Sequence, residues 1–206
     1  LVTVNLLREE RDITFSQNYA CDDCGISIEE LTPRLFSFNS PFGACPTCTG
    51  LGLQLKADPA LIIPDGSKSI LEGAITATGW ASIRSDGISR MYFEALSKKY
   101  RFSLTQPYDS LSDEVKNVIL YGTGGEKLEL HYDQPRGKGV LKQAFEGICN
   151  NIERRYKETQ SDASRKELEE LMSECPCPDC QGRRLRKESL AVTVGEKNIY
   201  EFTTLS

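Results

Sequence analysis

Histidine, tryptophan and methionine are scarce in this chain of 206 residues: one His, one Trp and two Met. A lone histidine, His131, excludes hydrolytic zinc centres built from several imidazoles. It also leaves no convincing Ser/His/Asp arrangement. The phosphate-binding pattern G-x-x-x-x-G-K-[S/T] is missing, and Gly66-Ser67-Lys68-Ser69 shares only a superficial likeness with its tail. No apolar run approaches the ~18 residues of a membrane span, so no membrane role is expected. Excess positive charge is absent too. The net charge is −5, which excludes a globally basic nucleic-acid binder but leaves room for a local basic patch. A hydrophobic share of 39% suffices for a core, and the length allows one or two domains. Residues 1–12 run from apolar to charged without Met and without the organisation of a signal peptide, so they read as a cut through a longer chain.

Cysteine is abundant instead, with eight residues. Six fall in three C-x-x-C pairs, Cys21/Cys24, Cys45/Cys48 and Cys177/Cys180, while Cys149 and Cys175 stand apart. A disulfide framework would scatter its cysteines through a smaller, loop-rich chain. The tight C-x-x-C turn places two thiolates on one side of a metal, and a following glycine lets backbone N–H groups approach sulfur. Two such pairs make a tetrahedral four-thiolate zinc site, closed and therefore structural rather than water-activating. One pair alone would suit a thiol oxidoreductase.

Two pairings are open. Twenty residues separate Cys24 from Cys45, a zinc-ribbon spacing whose short loop closes cheaply. Alternatively, Cys45-Pro-Thr-Cys48-Thr-Gly50 and Cys177-Pro-Asp-Cys180-Gln-Gly182 share the pattern C-P-x-C-x-G and would clip together the ends of residues 53–176. Cys21/Cys24 then needs two ligands from outside this chain. Cys149 shares helical spacing with Phe145, Ile148, Ile152 and Tyr156, which makes it a core thiol. Cys175 reads as incidental.

The pattern of elements predicts an α+β fold: a small β-rich zinc-knuckle module carrying an inserted helical and β domain. Residues 1–52 hold a β-hairpin over 1–20, a short helix at Ser27–Leu31, a phenylalanine-rich loop at Phe36–Phe42 and the second C-x-x-C. Residues 53–160 form the insertion, and 161–206 bring a returning helix, the third C-x-x-C and a strand. Within the insertion, Ala57–Ile70 reads as extended and Met91–Tyr100 as a helix. Ser110 with Asp113 offers a capping box for a second helix. Glu126–Asp133 alternates as a strand with a partner near 140–144, and the Phe145 helix follows. The returning helix is expected over Ser161–Glu174, with Leu190, Val192 and Val194 as the later strand and a helix start at Asn198. Trp80, Tyr92, Tyr100, Phe102 and Tyr108 offer stacking surfaces, but their spacing assigns most of them to the core.

Cations concentrate locally at Arg136, Lys138 and Lys142, at Arg154, Arg155 and Lys157, and at Arg183, Arg184, Arg186 and Lys187. Such clusters suit phosphate contacts. The alternative is a solvated face, since Glu153, Glu158 and Glu188 flank them.

The run Leu31-Thr-Pro-Arg-Leu-Phe-Ser-Phe-Asn-Ser-Pro-Phe-Gly-Ala-Cys-Pro-Thr-Cys-Thr-Gly-Leu-Gly52 closely resembles the UvrA family, the damage-sensing ABC-type ATPases of bacterial nucleotide excision repair. So do Phe145-Glu-Gly147, Glu153-Arg-Arg-Tyr-Lys-Glu-Thr159 and Cys177-Pro-Asp-Cys-Gln-Gly-Arg-Arg-Leu185, with matches running from about residue 15 to the end. The resemblance implies a middle segment of the first ATPase half, carrying zinc knuckles and the DNA-binding insertion and stopping before the ABC signature. It implies a cytoplasmic protein that uses ATP and magnesium, forms a homodimer, binds damaged double-stranded DNA and loads UvrB through a domain outside this chain. Lacking the phosphate-binding loop, the chain alone is expected to have no ATPase activity. The family's second ATPase half closes a C-x-x-C-x-G pair around a shorter insert. By that analogy the nested set Cys45/Cys48/Cys177/Cys180 is favoured, with Cys21/Cys24 as half of another zinc module. Cys45–Gly52 also fits the C-x-x-C-x-G-x-G repeat of DnaJ-type zinc domains, which would make a protein-interaction module. Those domains carry four close copies, whereas the two here lie far apart.

Overall fold

A computed structural model describes residues 2–6, 11–15, 30–81, 83, 87–134 and 137–205. These divide into two compact units, Leu1–Gln54 with Cys175–Ser206, and Leu55–Glu174. Strands β3 (Leu53–Ala57) and β6 (Met172–Pro176) form a two-stranded sheet. Helices and short sheets together give the expected α+β class.

The Leu55–Glu174 unit is built around aromatic side chains. Helix α2 (Ile88–Tyr100) buries Tyr92, Phe93 and Leu96 along one stripe. Phe145, just ahead of α4 (Ile148–Glu158), meets the Trp80 ring edge-on at 5.4 Å and the Tyr92 ring at 5.3 Å. Trp80 remains satisfied because its Nε1 donates to Asn151 Oδ1 at 3.2 Å. Helix α3 (Asp113–Tyr121) adds Val115, Val118 and Ile119. Strand β4 (Lys127–Gln134) pairs antiparallel with β5 (Gly137–Ala144), and Leu128 and Leu130 point into the core. Phe102 and Tyr108 are buried as expected, whereas Tyr100 is half-buried. Cys149 lies in the same core, where burial pushes its thiol up to about 11. His131 is exposed on β4.

Four elements differ from their sequence expectation. Within the supposedly extended 57–70 stretch, Asp58 caps the short helix α1 (Pro59–Ile62) by accepting from Ala60 N at 2.9 Å, with Pro59 at the position where a missing N–H costs nothing. The cap of α3 is Ser112, not Ser110, because Ser110 sits in a 3-10 turn and spends its hydroxyl on Pro107 O at 2.7 Å. Helix α5 (Asp162–Glu169) stops short of Glu174, and Met172 begins β6. There Ser173 donates to the Asp58 carboxylate at 2.5 Å, and Leu171 O accepts from Asp58 N at 3.0 Å. Sheet pairing with β3 thus overrides helical spacing. Leu190 lies in helix α6 (Lys187–Ala191), and only β7 (Thr193–Val194) is strand, paired with β8 (Lys197–Asn198).

In the other unit, β1 (Val2–Leu6) and β2 (Arg11–Phe15) form the expected hairpin. Helix α7 (Ile199–Thr203) starts at Asn198 through a reciprocal capping box with Glu201. The helix expected at Ser27–Leu31 falls largely outside the described residues, and Glu30 and Leu31 are not helical. Among the described residues no helix is long and apolar enough to cross a membrane.

Candidate metal centre

The second and third C-x-x-C motifs fold into two matching turns, 132 residues apart. Thr49 and Gln181 share a φ of 51°, and Gly50 and Gly182 share a φ of 84°. Glycine answers the positive φ at 50, and a Cβ there would also strike the Phe38 carbonyl. Each turn closes alike: Leu51 N donates to Cys48 O at 3.0 Å, and Arg183 N to Cys180 O at 2.9 Å. Between the turns run three backbone bonds, Cys45 N to Arg184 O, Arg186 N to Gly43 O and Cys177 N to Gly52 O, each 2.9 Å. Thr47 donates its hydroxyl to the Asp179 carboxylate across the same divide.

These bonds bring four buried sulfurs together. The Sγ atoms of Cys45, Cys48, Cys177 and Cys180 all lie within 4.8 Å of one another. Cys45 and Cys177 stand 3.9 Å apart, Cys48 and Cys180 3.6 Å, and none is in a disulfide. A tetrahedral zinc with Zn–S of about 2.3 Å requires sulfurs about 3.8 Å apart, so the donor set and spacing fit that ion. Backbone donors complete the setting, with Gly52 N 3.1 Å from Cys48 Sγ. The N–H of Cys180 foremost, then that of Asp179, holds the Cys177 thiol below its ordinary range. Burial pushes Cys180 up to about 12. A bound dication would add to the first effect, outweigh the second and keep the sulfurs as thiolates. Cys175 is exposed and outside the cluster. Cys21 and Cys24 lie outside the described residues.

The expected phosphate contacts are placed diversely. Arg154 is gripped by Glu146 at 2.8 Å and Glu158 at 2.7 Å. Arg155 is half-buried and donates to Thr78 O at 3.0 Å. Lys157 and Arg183 are exposed and form no ion pair among the described residues. Lys142 faces Glu129 at 2.8 Å across the β4–β5 ladder. Lys138 is exposed on β5, and Arg136 falls outside the described residues. Arg184 and Arg186 turn back onto the first knuckle. Arg184 Nε donates to Gly50 O at 2.7 Å with its guanidinium 3.6 Å from the Phe38 ring centroid, and Arg186 donates to Ala44 O and Pro41 O. Sequence reasoning missed this inward use. Its signal was present in the break of symmetry, Arg184 standing where the first knuckle has Gly52.

The UvrABC system protein A of Clostridium tetani is 48% identical over 206 residues, covering all of this chain and 22% of that protein. That of Halalkalibacterium halodurans is 45% identical, again over the whole chain and 21% of the relative. The chain therefore spans about a fifth of the length of the curated relatives it matches. The crystal structure of UvrA2 from Deinococcus radiodurans superposes with a TM-score of 0.59 at 24% identity, covering 81% of this chain and 21% of that one, a likeness of fold. A family model for the UvrA DNA-binding domain matches residues 58–170, more than half of the chain. This chain belongs to the UvrA DNA-binding domain family.

Proposed function

We propose that this chain is the zinc-stabilised DNA-binding segment of a nucleotide excision repair damage sensor. One observation carries the reading: the four clustered cysteines flank the segment 58–170 that matches the DNA-binding domain, two before it and two after. Zinc at Cys45, Cys48, Cys177 and Cys180 would supply no open coordination position and no chemistry beyond cross-linking. Its role is to fix both roots of the insertion, so that ATP-driven movement elsewhere in the longer protein repositions the insertion against DNA. Cys21 and Cys24 belong to a second zinc module with ligands outside this chain. ATP and magnesium binding, dimerisation and UvrB loading are functions of the longer protein.

Lys157 and Arg183 lead the proposed DNA contacts, since both are exposed and unneutralised among the described residues. Arg136, Lys138, Lys142, Arg154 and Arg155 support them. Such cations engage phosphates without reading bases, which suits a sensor of duplex shape rather than sequence. The test is binding to damaged duplex as a function of salt. Charge reversal at Arg154, Arg155 and Lys157 is expected to lower affinity and flatten the log–log salt slope by about 0.9 for each phosphate no longer neutralised. An unchanged slope and affinity would remove these residues from the interface.

A further inference from the structure

The two knuckles share their backbone turns, but one of the first knuckle's glycines has no glycine counterpart in the second. At the third positive-φ position, Gly52 has a φ of 80° and its counterpart Arg184 a φ of 70°. A residue with a Cβ rarely adopts that conformation. The Arg184 side chain offers the compensation. It crosses to the first knuckle, where Nε donates to Gly50 O at 2.7 Å and the guanidinium lies over Phe38 at 3.6 Å. Its Cγ fills the space above Gly52, where an added Cβ would come within 2.8 Å. Two residues on, Arg186 reaches Ala44 O at 3.2 Å and Pro41 O at 3.0 Å. A β-bridge joins Ala44 to Leu185 between them. Among the described residues no carboxylate pairs with either guanidinium, and every partner of both lies within residues 38–50.

We propose that Arg184, aided by Arg186, is a positioning residue for the metal centre, a clasp that gathers the four sulfurs independently of the metal. The inference rests on the zinc reading above. A preformed set of ligands loses no closure when the ion departs, so release is slow and refilling fast. The clasp also explains a side chain at a position where the matching knuckle uses glycine.

The experiment is zinc release from the 206-residue protein into a chromogenic chelator. Arg184→Gly is the chief variant, because glycine keeps the φ of 70° without strain and reproduces the first knuckle. It is expected to release zinc about tenfold faster, the effect of one charge-assisted hydrogen bond and one cation–π contact. Arg184→Lys is expected to behave likewise, since an ammonium offers neither the planar fork nor its stacking. Arg183→Ala, at an exposed neighbour, should match wild type. Cobalt(II)-substituted Arg184→Gly should keep the four-thiolate charge-transfer spectrum, separating a faster exit from a collapsed site. Arg184→Gly releasing zinc at the wild-type rate, or Arg183→Ala accelerating it equally, overturns the clasp alone. A wild-type protein that holds no zinc overturns the metal reading and the clasp with it.

Discussion

Phe145→Ala probes the packing that shapes the Leu55–Glu174 unit. Phe145 is 1% exposed and touches three aromatic rings: Trp80 at 5.4 Å, Tyr92 at 5.3 Å and Phe93 at 6.2 Å. Those partners come from α2 and from the segment before it, so the cavity would be walled by elements that cannot all close in at once. Phe→Ala in such a core costs about 3–5 kcal/mol, and the loss of favourable ring geometry argues for the upper half of that range. Against a typical total of about 5–15 kcal/mol this is a large fraction. It corresponds to a fall of roughly 10–20 °C in Tm for a unit of this size. Trp80 is the only tryptophan and lies against Phe145. Its emission therefore reports the same event, as thermal or urea unfolding followed by fluorescence. Phe145→Leu retains most of the volume and should lose only about 1 kcal/mol. A loss below about 1 kcal/mol for Phe145→Ala would refute the view that this aromatic cluster is the keystone of the unit.

Other perturbations separate the remaining claims. Zinc stoichiometry should fall at the nested site in Cys177→Ser and stay unchanged there in Cys21→Ser; the reverse pattern would reinstate the ribbon pairing. Cys149→Ala should leave zinc content unchanged while lowering stability, because that thiol lies in the core. Asp58 titrates below its ordinary value of 3.8, first through the Ser173 hydroxyl and then through the Ala60 N–H. A carboxylate with a depressed folded-state pKa adds stability that is present above the unfolded pKa and disappears as pH falls through the folded one. Ser173→Ala should therefore narrow the difference in stability between neutral pH and about pH 3, read from urea midpoints. Equal midpoint shifts at both pH values would contradict the assigned cause. Gly52→Ala places a Cβ at a φ of 80° and against Arg184. It should destabilise the knuckle by about 1–2 kcal/mol, seen as faster zinc release.

How much of this could be read from residues alone depended on the range of the forces involved. The knuckles were legible because metal chemistry writes its requirements into fixed spacings. C-P-x-C-x-G occurs twice, and its glycines answer a positive φ that few other residues accept. Helices α2, α3 and α4 were legible because each buries a stripe of its own, so periodicity sufficed. Met172 reads as helical because its spacing from Leu168 satisfies a helix, whereas pairing with β3 and the bonds of Asp58, 114 positions earlier, to Leu171 and Ser173 hold this stretch as strand. Leu190 shows the opposite case, since three alternating apolar residues are too few to outweigh a local turn of helix. Pairing among three C-x-x-C motifs was undecidable from spacing, because loop closure favours the near pair and motif identity the distant one.

The arginines after Cys180 show where such reading reaches its limit. A run of cations beside a zinc turn looks like a nucleic-acid contact, because charge is visible in sequence and direction is not. In the fold, Arg183 faces solvent while Arg184 and Arg186 point back to carbonyls of the first knuckle. The difference arises from the backbone. Leu185 makes an antiparallel bridge to Ala44, and along that extended stretch Arg184 and Arg186 fall on one side, towards the partner turn. Gly52 permits the close approach and Arg184 exploits it, so one broken symmetry position accounts for both the strain and its relief. The same position therefore discriminates between a basic surface and a built clasp, and Arg184→Gly, which removes the side chain while sparing the backbone, weighs the two directly.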